Sequence, residues 1–203
     1  MKREEKNQQT RRRIMDSALA EFSKQGYGAS SVNTICASQD ISKGIIYHYF
    51  KSKDDLFLAC IEECFSQLTE YLKKNMRLTS ENLRNQLEEY FNVRSNFFRE
   101  NPVYQRLFCE AVIAPPAHLQ AEIQNSKCKF DSFNIQILEH ILEPVSLRQQ
   151  ITKKDVIEIF RQFQDFVNAR YQFKDLSEQE FEIHEEKCRK ALDILLYGVV
   201  ERK

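Results

Sequence analysis

Ser42, Lys43, Gly44, Tyr47 and His48 place a hydroxyl, an ammonium group, a bare stretch of backbone and two flat polar rings within seven residues. If Ser42 caps a helix, the unpaired N–H groups of its first turn lie beside the Lys43 charge, an arrangement suited to phosphate oxygens. Gly44 has no side chain to hold a partner's backbone away from that helix start. Ile46 and Phe50, four residues apart, form the inward stripe and leave Lys43, Gly44, Tyr47 and His48 pointing outward. Tyr47 and His48 then offer hydrogen bonds and flat apolar surface. Lys53 falls in the first turn of the following helix, where the dipole disfavours a cation; the placement makes sense if that cation meets a phosphate. The run Arg11-Arg12-Arg13 reads as a further set of phosphate contacts.

Little else in the chain suggests chemistry. There is no nucleophile elbow, phosphate loop, zinc-protease motif or convincing acid–base pair, so neither catalysis nor a cofactor is expected. The six cysteines (36, 60, 64, 109, 128 and 188) are scattered through helical sequence and read as small apolar core residues in a reducing compartment. Cys60 and Cys64 share a helix face, but with no neighbouring His or second Cys pair they do not make a metal site.

The elements that must position these residues are helices. The 203 residues include only 4 Gly and 4 Pro, and the long stretches lacking both favour helix. Thr10 reads as the N-cap of a first helix running to Gln25, with Ile14, Ala18, Leu19 and Phe22 inward. Gly26 then takes a left-handed C′ position, and Tyr27 packs back on Phe22. Ser30 or Ser31 caps a second helix with Val32, Ile35 and Cys36 inward. Ser42 caps the third, across a turn of about three residues that a helix-turn-helix requires. Ser52-Lys53-Asp54-Asp55 resembles a capping box that opens a fourth helix, expected to reach about Asn75.

Zero net charge conceals an asymmetry. Residues 1–53 carry 10 Lys/Arg against 5 Asp/Glu, a net of +5, and the rest carry 20 against 25, a net of −5. A basic end on an acidic body points to a polyanion held at one end. No stretch approaches the ~18 consecutive apolar residues of a membrane span, and MKREEKNQQTRRR lacks the apolar segment of a signal peptide. A cytoplasmic protein without membrane contact is expected.

Taken together, residues 14–57 resemble the DNA-binding domain of the TetR/AcrR family of bacterial regulators. The resemblance rests on Gly26-Tyr27, on Ala29-Ser30-Ser31-Val32 and on Ser42-Lys43-Gly44 followed by Tyr47-His48-Tyr49-Phe50. Lys51-Ser52-Lys53 and Leu56 complete it. It implies an all-α fold: a three-helix, helix-turn-helix DNA-binding domain over residues 1–53, and a larger helical effector-binding and dimerisation domain over 54–203. It further implies that the third helix enters the major groove. Ser42, Lys43, Gly44, Tyr47, His48 and Lys53 match positions that touch DNA, mostly phosphates; Asn33 and Ile45 match positions near bases, and Ser31 joins them at the start of the second helix. The sequence departs from the family at Asp40, where the turn usually has Gly, and at Ile45, which suggests an apolar contact such as a thymine methyl.

Beyond Asn75 only helical periodicity remains. A fifth helix carries Leu83, Leu87, Tyr90, Phe91, Phe97 and Phe98. A sixth starts at Pro102, a seventh follows Pro115-Pro116, Thr152 caps an eighth, and Ser177 with Glu180 caps a ninth. The family resemblance makes the last two a dimerisation bundle and the middle helices the wall of an apolar pocket, although the stripes suit ordinary core packing equally well. Candidate pocket residues are Phe91, Arg94, Phe98, Tyr104, Phe108, Phe130, Phe133 and Phe163. Arg94, between Tyr90 and Phe97/Phe98, is either an edge arginine whose stem covers apolar surface or a pocket cation for an anionic ligand. The expected function is a dimeric, ligand-responsive repressor that binds a palindromic double-stranded DNA operator and is released by a small-molecule effector. The alternative is a DNA-binding regulator without a ligand, its C-terminal domain serving dimerisation or a protein partner.

Overall fold

The computed structural model describes residues 2–78, 82–170 and 178–199. Their regular elements are α1 (Lys2–Ala29), α2 (Val32–Ser38), α3 (Lys43–Tyr49), α4 (Lys53–Asn75), α5 (Leu83–Glu100), α6 (Pro102–Val112), α7 (Gln120–Leu142), α8 (Lys153–Arg170) and α9 (Glu178–Val199). A single 3₁₀ turn, Ala117–Leu119, precedes α7, and no β-strand occurs among the described residues.

α1 begins at Lys2, eight residues before the expected cap. Residues 2–9 contain no Gly, Pro or β-branched residue, and Glu4 and Glu5 complement the positive end of the helix dipole. Thr10 therefore lies inside the helix, where its hydroxyl donates to the Lys6 carbonyl at 2.9 Å instead of capping. The helix breaks at Gly26 (φ 74°, ψ 170°), a backbone state that side-chain-bearing residues rarely adopt. Tyr27 packs on Phe57 (ring centroids 4.9 Å), and Phe57 in turn meets Phe22 edge-on at 5.0 Å. The expected contact of Tyr27 with Phe22 is thus replaced by one through a ring from α4.

The next three helices start where side-chain caps dictate. Ser31 Oγ accepts from the Thr34 N–H at 3.1 Å to open α2, and Ser42 Oγ accepts from the Ile45 N–H at 3.4 Å to open α3. Asp40, in the turn between them, has φ 52°, the left-handed state that Asp tolerates better than most residues. Ser52 Oγ accepts from the Asp55 N–H at 3.0 Å, while the Asp55 carboxylate reaches back to the Lys51 N–H at 3.1 Å, one residue earlier than a strict capping box. Pro102 occupies the first turn of α6, where its missing N–H costs nothing. Thr152 and Asp155 form a reciprocal box at the start of α8. Ser177, the expected cap of the ninth helix, lies outside the described residues.

Packing groups these helices into two compact units, one within Met1–Gln67 and Glu100–Lys127, the other within Leu68–Arg99 and Cys128–Lys203. The division expected after residue 53 therefore does not follow compactness: α4 as far as Gln67, together with α6, packs with the first three helices. The physical reason lies in the end of α1. Arg106 of α6 donates to the carbonyls of Lys24 and Gln25 at 3.2 and 3.3 Å, and the Glu110 carboxylate accepts the Tyr27 N–H at 3.1–3.2 Å. The orphan groups at the α1 break are thus satisfied by α6. Ile14, Ala18, Phe22, Ile35, Ile46, Leu56, Phe57 and Ile61 form the core of this unit. Leu87, Phe91, Phe97, Phe98, Ile137, Leu138, Ile141, Leu142 and Leu196 are core residues of the other.

Candidate functional site

α3 is only seven residues long, and its two faces differ sharply. Ile46 and Phe50 are buried, whereas Ser42, Lys43, Gly44, Tyr47 and His48 are exposed. Ile45 and Tyr47 stand 43% and 49% exposed on this face. A Cβ placed on Gly44 would meet nothing within 4 Å, so its backbone borders open space. Asn33 is exposed on α2, and Ser31 is half-buried, its hydroxyl also meeting the Thr34 hydroxyl at 2.8 Å. Ser31, Asn33, Ser42, Lys43, Gly44, Ile45, Tyr47 and His48 thus all lie on α2, α3 or their caps.

The remaining cations expected at this surface have partners within the protein. Lys53 Nζ lies 4.2 Å from the centre of the Tyr27 ring, a cation–π contact that explains a lysine at this helix start without invoking phosphate. Burial and a hydrogen bond to Asp54 push the Tyr27 phenol up to about 12, and its hydroxyl also meets His118 Nε2 at 3.1 Å. Arg11 lies over Phe50 at 5.3 Å. Arg12 binds Asp16 and bridges to Glu63 at 2.9 Å. Arg13 donates to the Gln39 carbonyl at 2.9 Å and so braces the turn before α3. The arginine run, expected to meet phosphate, is engaged in holding α1 to its neighbours. Tyr49 hydrogen-bonds Asn7, tying the end of α3 to the extended start of α1.

The second site is a partly open cavity of about 40 Å³ in the other unit. It is lined by Leu87, Tyr90, Phe91, Arg94, Asn134, Ile137, Leu138, Ile141, Phe160, Phe163, Cys188 and Leu192. Of the candidate pocket residues, Phe91, Arg94 and Phe163 meet here. Phe98 is buried against Phe97 and Phe181 instead, Phe130 is a core residue, and Phe133 carries the Lys73 ammonium over its ring at 5.7 Å. Tyr104 and Phe108 belong to the first unit, where the Tyr104 hydroxyl donates to Glu63 at 2.7 Å and Phe108 meets Phe65. Those five do not line the cavity.

Arg94 is not an edge residue. Its side chain is 4% exposed and makes a two-pronged ion pair with Glu185 of α9, Nε to Oε2 at 2.8 Å and Nη2 to Oε1 at 2.6 Å. Its Nη1 donates to the Tyr90 hydroxyl at 3.3 Å, and that hydroxyl donates to Asn134 Oδ1 at 2.9 Å. Burial opposes ionisation of Glu185, but the Arg94 charge and hydrogen bonds from His184 and Arg94 outweigh it and hold the carboxyl below its usual range. A cation so paired has its charge largely cancelled, which removes the basis for an anionic ligand at Arg94. Glu185 could have been found in the sequence: it interrupts the apolar stripe of α9 between Phe181 and Cys188, where an acidic residue needs a partner. The Cys188 thiol is raised to about 11, mainly by burial, and the buried Cys60 and Cys64 thiols are raised further. Among the described residues no group of three or more His, Cys, Asp or Glu could hold a metal ion, and no helix is long and apolar enough to cross a membrane.

Known proteins are similar to this chain in part of its sequence and in its fold. Residues 14–60 match the sequence model of the bacterial regulatory proteins of the tetR family. Curated relatives include the regulator UidR of Escherichia coli, 44% identical over 54 residues (27% of this chain, 28% of UidR). The negative transcriptional regulator IcaR of a Staphylococcus epidermidis biofilm operon is 29% identical over 63 residues (31% and 34%). The matched stretches span about a third or less of these relatives' length. Likeness in fold extends further. FadR of Bacillus subtilis, solved with stearoyl-CoA, superposes with a TM-score of 0.66 at 15% identity, covering 89% of this chain and 96% of that one. A TetR-like regulator from Rhodococcus sp. RHA1 gives 0.61 at 22% identity, covering 93% and 96%. Residues 14–60 are thus similar in sequence to the bacterial regulatory proteins of the tetR family, and the fold as a whole is similar to that of these solved regulators.

Proposed function

We propose that this protein is a cytoplasmic transcriptional repressor that binds a palindromic operator as a homodimer and is released by a small-molecule effector. One observation carries the DNA-binding reading: the exposed face of α3, where Ile45 and Tyr47 stand in solvent beside Ser42, Lys43, His48 and an unobstructed Gly44 backbone. In this reading the N-terminus of α3 holds phosphate, and Ile45 and Tyr47 reach base edges of the major groove. One seven-residue helix reads few bases, so a two-fold pair of such helices is needed for specificity. Exposed isoleucines support α8 and α9 as the dimer surface. Ile159 of α8 is 45% exposed, and Ile183 and Ile194 of α9, three helical turns apart on one face, are 38% and 73% exposed. The exposure of Ile159 fits a partner's surface better than a core. For the effector, the cavity at Arg94 and Asn134 is the candidate site, and a neighbour in fold, FadR of B. subtilis, was solved with stearoyl-CoA.

The test is selection of bound sequences from random duplex DNA at two salt concentrations. Enrichment of a palindrome, with affinity falling steeply as salt rises, supports the reading. Absence of enrichment at low salt overturns it. The cavity favours one competing reading: at about 40 Å³ it is far smaller than the ~300–1,000 Å³ of ordinary ligand sites. A regulator without an effector would leave operator affinity unchanged across a library of small apolar compounds.

A further inference from the structure

The polar groups along the cavity form a chain whose directions are fixed at one end. Arginine can only donate, so the Tyr90 oxygen must accept from Arg94 Nη1. The Tyr90 hydrogen is then committed to Asn134, which accepts it at Oδ1. That contact settles which way the Asn134 amide is turned: its oxygen faces Tyr90, and its NH₂ group is left as the donor. The Asn134 amide nitrogen has no partner among the described residues, and Asn134 lines the cavity. Meanwhile the Arg94 charge is matched by Glu185, both side chains being about 5% exposed or less. The next cation, Arg189, is held by Asn92 at 3.2 Å and lies against Phe91 without lining the cavity. The cavity thus offers apolar walls, a directed neutral donor and a cancelled charge.

We propose that this cavity takes an uncharged, largely apolar compound bearing a hydrogen-bond acceptor, such as a ketone or ester carbonyl, which receives the Asn134 N–H. The proposal rests on the effector reading above and gives that site its chemical class. Arg94 and Glu185 then serve as positioning residues: they orient the Tyr90 hydroxyl, and through it the amide, and do not bind a ligand anion. An anion would have to pull Arg94 from a buried carboxylate, leaving Glu185 uncompensated. Because the cavity is partly open, an occupant is not limited to the enclosed volume.

Four probes of matched size separate the possibilities: acetophenone (acceptor), ethylbenzene (no acceptor), benzoate (anion) and benzylamine (cation), each titrated into the full-length protein by calorimetry. Acetophenone is expected to bind more tightly than ethylbenzene by roughly three- to tenfold, the range of one net hydrogen bond, and the two ions to bind most weakly. Asn134→Leu should abolish the preference for acetophenone while leaving ethylbenzene binding intact, and unchanged thermal unfolding would show that the variant folds. Tyr90→Phe, which frees the amide to turn, should shrink the same preference. Tighter binding of benzoate or benzylamine, an unaltered preference in Asn134→Leu, or no binding of acetophenone would overturn the proposal. The effector reading is tested separately, by operator affinity with acetophenone bound: binding without any change in that affinity would sink the effector reading and leave the chemical class standing.

Discussion

Two glycines make opposite predictions. A Cβ at Gly44 meets nothing, so Gly44→Ala should raise stability by about 0.5–1 kcal/mol through helix propensity and yet, if α3 faces the duplex as proposed, weaken DNA binding. Urea unfolding paired with operator titration checks both; an unchanged affinity would mean Gly44 does not face DNA. At Gly26 a Cβ would collide with Glu110 Oε1 and stand 2.9 Å from Arg106 Nη2, on a backbone with φ 74°. Gly26→Ala should cost about 1–3 kcal/mol from backbone strain, before any loss of the α6 contacts. For the buried pair, Arg94→Met should destabilise by about 3–5 kcal/mol, and adding Glu185→Leu should recover much of that, since the orphaned charge is removed. The pH dependence has a definite sign. Glu185 is held below its ordinary value of 4.5, so the pair's contribution is present above that pH and is lost as pH falls through the lowered folded value. Urea midpoints between about pH 3 and pH 6 should therefore fall less steeply for the double variant than for the wild type. At this scale Gly26, Asp40 and the inward Ile46 and Phe50 were legible, because glycine, turn and stripe rules are local. The Arg94 partner lies 91 positions away, and no local rule pairs the two.

Helix starts were read well where a side chain caps them and poorly where one does not. Ser31, Ser42 and Thr152 act as expected, whereas α1 runs back through residues that simply favour helix. α3, with seven residues, depends on its cap more than the longer helices do. Ser42→Ala should cost about 1 kcal/mol by urea unfolding. It should also weaken operator binding, since frayed N–H groups no longer present a fixed phosphate site. A loss of stability with full affinity retained would show that the α3 N-terminus is not the phosphate site. Sequence periodicity located the aromatics of α5 to α8 but not their directions. Phe91 and Phe163 line the cavity, while Phe98 meets Phe181 edge-on, because which side of a helix meets a cavity depends on neighbours distant in sequence.

For the whole molecule, the net of +5 in residues 1–53 overstates the charge free to serve the proposed DNA contact. Arg12 is spent on Asp16 and Glu63, and Arg13 on a carbonyl. The salt dependence of operator binding should accordingly report fewer phosphate contacts than the basic residues suggest. Ile194→Asp places a charge on the face proposed to meet a second copy; it should shift sedimentation toward the monomer and weaken operator binding by at least tenfold. A dimer surviving that change would move the interface elsewhere.

The Tyr27 amide has one more consequence. Its hydrogen is bonded to a carboxylate of α6. Its exchange with deuterated solvent therefore depends on how often Glu110 lets go. One backbone signal thereby becomes a native clock for the grip of α6 on the first helix, readable with and without a bound compound and without attaching any label.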